Sequence, residues 1–115
     1  MADRAELNRL VLLQLGVLDA TEAPEAEDAV DVDLRSLAKM EQLYSDGLLP
    51  FDIEGDIPRK YLTPLADLVA LELIDMYAAH ARTATLAAAA ERSQKVLYRF
   101  AARPYSGSVV PSDYF

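Results

Sequence analysis

No cysteine occurs among the 115 residues. Disulfides, thiol nucleophiles and thiolate metal sites are excluded together, an absence that fits folding inside a cell. Histidine occurs once, as His80. Catalytic triads and zinc sites need histidine with partners, and Asp75 and Tyr77 are only its neighbours on one helix. A helix-end histidine interacting with free carbonyls is the expected role. No HExxH metal motif, glycine-rich phosphate loop or serine nucleophile motif is present. The early apolar run Leu10-Val11-Leu12-Leu13-Gln14-Leu15 is too short to span a bilayer. Asp3 and Glu6 stand where a signal sequence would be basic, so neither a signal peptide nor a membrane partner is expected. Asp52, Glu54 and Asp56 alternate like the start of a calcium loop. Thr63, however, occupies the twelfth position, where the bidentate glutamate belongs, so a solvated acidic loop is expected. These absences predict no catalytic residue, no metal, no cofactor and no enzyme.

What is present is apolar and acidic. Apolar residues make up 52% of the chain and charged residues 26%, enough for one modest core. The net charge of −8 is uneven. Residues 1–75 hold 17 acids against 6 bases, and residues 76–115 hold 2 acids against 5 bases. An acidic chain is a poor duplex-DNA binder, because that affinity rests on neutralising phosphates. The asymmetry instead lets the acidic part of one copy meet the basic part of another.

Periodicity predicts an all-α fold, a small four-helix bundle with an extended C-terminal arm. The first helix is expected over Ala2–Leu15, with Leu7, Leu10, Val11 and Leu15 inward and Gly16 as its cap. The second starts within Asp19–Glu25, where Thr21 and Pro24 precede acids, and runs to Ser45. Its apolar stripe reads Val30, Leu34, Leu37, Met40 and Tyr44. The loop Leu48–Asp56 folds its apolar start onto the core, and Phe51–Glu54 allows a short hairpin. A short turn at Arg59–Leu62 leads to a third helix over Pro64–His80, with Leu65, Leu68, Val69, Leu73, Met76 and Tyr77 as its stripe. Leu71 and Ile74 make that helix apolar on more than one side, which predicts a helix central in its domain or buried by a second subunit. Thr83 is read as the cap of a fourth helix over Ala84–Ala102. The run Ala87–Ala90 favours helix and lets another backbone come close. Leu86, Ala90, Val96, Leu97 and Phe100 form the inward face, and Arg103-Pro104 is read as the stop.

Two constellations stand outside that core. Arg92, Lys95, Arg99 and Arg103 share one face of the fourth helix. A solvated outer face, aided by a Glu91–Lys95 pair, and a contact stripe for an acidic neighbour remain alternatives. Residues 104–115 hold two prolines and a glycine, yet also Tyr105, Val109, Val110, Tyr114 and Phe115. Burying a valine or phenylalanine contributes about 1.5–3 kcal/mol. Several such anchors suit a peptide arm that docks on a partner. The chain therefore divides into a helical domain, 1–103, and a docking arm, 104–115.

Three segments, in order and spacing, carry a resemblance. They are Leu7-Asn8-Arg9-Leu10 with Leu15-Gly16-Val17-Leu18, then Leu43-Tyr44-Ser45-Asp46-Gly47-Leu48-Leu49-Pro50, then Ile57-Pro58-Arg59-Lys60-Tyr61-Leu62-Thr63-Pro64-Leu65 leading into Leu68-Val69-Ala70-Leu71-Glu72-Leu73. The chain resembles the head-to-tail adaptor, or connector, proteins of tailed bacteriophages, most of all the tail accessory factors (packaged-DNA stabilisation proteins). The resemblance covers roughly residues 5–100. It implies a ring, usually of twelve copies, beneath the portal protein. It also implies a C-terminal arm docked on the portal, a tail or nozzle protein below, and DNA only passing through the channel. Assembly into a virion after synthesis in the host cytoplasm follows from the same likeness. The rival reading is a small acidic helical regulatory module that binds another protein. It differs in forming a monomer or dimer and no ring.

Overall fold

A computed structural model describes residues 2–18 and 24–106, the last four of them by backbone alone. Four α-helices follow one another: α1 (Arg4–Leu15), α2 (Ala26–Ser45), α3 (Leu62–Glu72) and α4 (Thr83–Ser106). Single 3-10 turns at Arg59–Tyr61 and His80–Arg82 lead into α3 and α4. The chain is all-α. Among the described residues, β-pairing is limited to one isolated antiparallel bridge between Ala2 and Ile57.

Local chemistry sets the ends of α1. The Asp3 carboxylate accepts the Glu6 N–H at 2.9 Å, satisfying one of the orphan donors of the first turn. Gly16 closes the helix at φ 78°, as its position predicted. Its N–H reaches the Leu13 carbonyl, and the Val17 N–H reaches that of Leu12, both at 3.1 Å. A Cβ at Gly16 would lie 2.9 Å from Nε of the exposed Arg82 side chain, which can move aside, so the left-handed backbone is what favours glycine here. Gly47 ends α2 by the same motif, with the Leu48 N–H on the Leu43 carbonyl at 3.0 Å.

α3 is the centre of the bundle. Pro64 through Ala70 are all buried, and α3 packs on α1, α2 and α4. Its apolar residues on more than one side are thereby accounted for. Around it lie Leu7, Val11 and Leu12 of α1, Val32 and Met40 of α2, and Leu86 and Leu97 of α4. Leu48 and Leu49 fold back onto this core, as expected of the loop's apolar start. One polar pair crosses the interior: the Ser93 hydroxyl donates to the Asp67 carboxylate at 2.5 Å.

The structure corrects five expectations. The stripe assigned to the core side of α2 faces outward. Val30, Leu34 and Tyr44 are exposed and Leu37 is half-buried, while Val32, Ser36, Met40 and Leu43 are buried. Met40 alone belongs to both sets. The core takes the face that packs on α1 and α3, and Ser36 interrupts its apolar pattern.

The third helix stops at Glu72 rather than His80. Residues 73–78 form turns, closed by the Ala79 N–H on the Ile74 carbonyl at 2.9 Å and by Ala78 at φ 54°. Leu73, Ile74 and Ala79 are all buried by this turn, whereas Met76 points out. The hairpin at Phe51–Glu54 is replaced by a turn in which the Gly55 N–H meets the Asp52 carbonyl at 3.1 Å. Ile57 pairs with Ala2 instead, where an antiparallel partner is in reach. Thr83 is the first residue of α4 rather than its cap, and its hydroxyl donates to the His80 carbonyl at 2.8 Å. Finally, α4 continues through Pro104 to Ser106. A proline removes its N–H donor and crowds the carbonyl four residues back, and two residues from a helix end both effects fall within the last turns.

Candidate functional site

Where their side chains are described, the candidate residues read from the sequence lie on the surface of the bundle. His80 begins the 3-10 turn before α4, and its Nε2 lies 2.8 Å from Asp75 Oδ1 with both side chains exposed. It therefore faces a carboxylate, not the carbonyl end of α3 as expected. In the acidic loop, Asp52 Oδ1 accepts the Glu54 N–H at 3.0 Å, which ties that carboxylate to its own backbone.

The basic stripe lies on the solvent side of α4. Arg92, Lys95 and Arg99 are exposed, opposite the buried Leu86, Ala90 and Leu97. Arg103 belongs to the same helix by its backbone. Among the described residues, no ion pair engages Arg92, Lys95 or Arg99, and none joins Glu91 to Lys95. Tyr98, at 56% exposure, stands at the edge of this stripe, one turn on from Lys95.

A second surface comes from the outward face of α2. Val30 and Leu34, at 59% and 63% exposure, stand one turn apart, with Tyr44 further along at 53%. Glu27, Asp31 and Glu41 are exposed on the same side, with Arg35 at its edge. Leu34 and Ala38 join Met76 around a hollow of about 250 Å³ whose rim carries Asp31 and Arg35. The sequence spelled out these apolar residues but led to the wrong side of the helix.

Polar contacts fix the orientation of α2. The Arg4 guanidinium grips Asp33 through Nε at 2.7 Å and Nη2 at 3.3 Å, and Asn8 donates to the same carboxylate at 2.8 Å. That grip holds the Asp33 carboxyl below the usual carboxylate range. Lys39 reaches Glu72 of α3 at 3.0 Å. The Tyr77 hydroxyl donates to Asp28 at 3.3 Å.

Burial first, and then the charge of Asp28, push the Tyr77 phenol up to about 12 from its ordinary 10.0. A raised phenol pKa stabilises the folded chain below the unfolded value and loses that contribution as pH rises through the folded one. An ultraviolet titration should show the Tyr77 phenol ionising near pH 12, with the buried Tyr61 phenol also displaced upward. Tyr77→Phe should abolish that late step. A titration in which every tyrosine ionises near 10 would show that Tyr77 is not held against α2.

Of the proposed arm residues, Tyr105 lies in the last turn of α4 by its backbone, and Val109, Val110, Tyr114 and Phe115 lie outside the described residues. No helix among the described residues is long and apolar enough to cross a membrane. Comparison of the chain with known protein families, characterised proteins and solved structures finds no match.

Proposed function

We propose that this chain is a structural, non-enzymatic protein of a tailed-phage virion. It is a head-to-tail adaptor that forms a ring under the portal, extends the DNA channel and gives the tail a platform. The observation that carries the reading is the order and spacing of the three resembling segments, which fall on successive parts of one bundle. The first lies on α1 and its glycine cap, the second at the end of α2, and the third at the entry into α3. The net charge of −8 supports it, since an acidic channel wall repels DNA that must slide. Exposed apolar surface on α2 supports it too, because a protein that works in an assembly keeps such surface for its neighbours.

In this reading the arm anchors the ring through Tyr105, Val109, Val110, Tyr114 and Phe115. Deleting residues 107–115 spares α4, so helical circular dichroism and melting should match the full chain. Binding to the portal protein of the same phage should fall by about a hundredfold or more, as expected when several buried anchors are lost. Retained portal binding after that deletion would refute the arm's role. Electron microscopy of the full chain mixed with portal should show added density beneath the portal ring.

A further inference from the structure

We propose that copies of this chain associate head to tail, the outward face of α2 on one copy seating the basic face of α4 on the next. The proposal deepens the ring reading by naming its two surfaces, and rests on that reading only for its biological setting.

The two faces are complementary in kind. The α2 face is apolar along Val30 and Leu34 and is edged by Glu27, Asp31 and Glu41. The α4 face carries Arg92, Lys95 and Arg99, with the large side chain of Tyr98 exposed at its edge. A helix of 20 residues and one of 24 provide lengths of about 30 Å or more, long enough for several turns of contact. The hollow between Leu34, Ala38 and Met76 offers a seat for one aromatic ring. Tyr98 is the side chain of the opposing face suited to fill it, with its hydroxyl toward the Asp31–Arg35 rim. Buried tyrosines of this kind dominate interface energetics, and the surrounding charges set register.

Charge also selects which faces meet. Two α2 faces brought together would oppose carboxylates to carboxylates, and two α4 faces would oppose cations to cations. The unlike pair sets the most opposite charges against each other; a like pair gains only Arg35 at the edge of the α2 face or Glu91 beside the α4 stripe. An isologous two-fold dimer uses one patch twice and is therefore disfavoured here. A contact between two different patches leaves one of each kind free on every pair. Growth then continues until the rotation closes a ring or runs on as a fibre. The same geometry explains why exposed apolar residues and unpaired cations occur on one small chain.

The test uses the full chain without portal, so it is independent of the arm. In sedimentation velocity the wild-type mass should rise with protein concentration. It should fall when salt goes from about 0.1 M to about 1 M, where the screening length drops from about 10 Å to about 3 Å. Leu34→Asp removes the α2 face, and the triple reversal R92E/K95E/R99E removes the α4 face. Tyr98→Ala is a milder α4-face variant and should weaken association about tenfold or more. Each face variant alone should sediment as a monomer that melts like wild type, because the altered side chains are exposed. An equimolar mixture of the two should form one-to-one dimers and nothing larger, since each variant keeps the face the other has lost. A wild type that stays monomeric throughout, or an Leu34→Asp variant that still assembles, would overturn the proposal. So would a mixture of folded variants that never pairs. Portal binding by the non-associating variants would leave the adaptor reading standing; its loss on arm deletion alone reports on the arm.

Discussion

Leu65→Ala should lower the free energy of unfolding by about 3–5 kcal/mol, enough to bring a domain of this size close to its stability limit. Leu65 is fully buried in the first turn of α3, the helix that packs on the other three. Truncation there opens a cavity inside the core. The rigid surroundings cannot collapse to fill it, so the cavity cost adds to the lost transfer energy. Urea unfolding followed by circular dichroism measures the change. The companion substitution Leu34→Ala removes the same atoms from the outward face of α2 and should change stability by less than about 0.5 kcal/mol. Equal effects at the two positions would contradict the orientation of α2 described above.

Tyr61→Ala is expected to cost a further large amount, about 3–5 kcal/mol, by a different route. Tyr61 is 2% exposed in the turn that leads into α3. Its ring meets Phe51 of the acidic loop edge-on at 5.0 Å and Phe100 of α4 at 5.2 Å. Lys60 adds its ammonium 4.5 Å from the Phe100 ring centre. Edge-to-face pairs contribute beyond the area they bury, so losing the middle ring breaks two contacts together. The loop then loses its hold on α4. Tyr61→Phe keeps all three rings and should cost less than about 1 kcal/mol. Thermal melting of the two variants separates them, and a large loss for the phenylalanine would assign the effect to the hydroxyl instead.

Much of this fold was legible from residue pattern because the strongest signals are local. Gly16 and Gly47 mark helix ends where the chain adopts positive φ. Pro58 and Pro64 frame the entry to α3, and its all-round apolar sequence announced a buried helix. The failures have equally local causes. On α2 the buried face reads Val32, Ser36, Met40, Leu43, so a serine in the core hid the true period, while the outward face read as a cleaner stripe. The end of α3 carries no glycine or proline. Ala78 supplies the positive φ there, an unusual choice for a residue with a side chain. At the other end of the chain, Pro104 looked like a barrier and lies inside α4. The basic face of α4 was visible as spacing alone. The α2 face was not, because which side of an amphipathic helix looks outward depends on contacts such as Arg4–Asp33 and Lys39–Glu72, made by residues far apart in sequence.

The two hydrogen bonds between Ala2 and Ile57, at 2.9 and 2.6 Å, also shape how the bundle holds itself together. They make residues 2–57 a closed circuit of backbone, with α1 and α2 strung inside it. A chain end usually frays first, yet here Ala2 is as buried as the core. Opening it would part the segment before α1 from the residue that ends the acidic loop, while α2 keeps its own contacts to α1 and α3. The entry to α1 and the approach to α3 are thus joined by backbone alone, a link that no side-chain substitution removes directly.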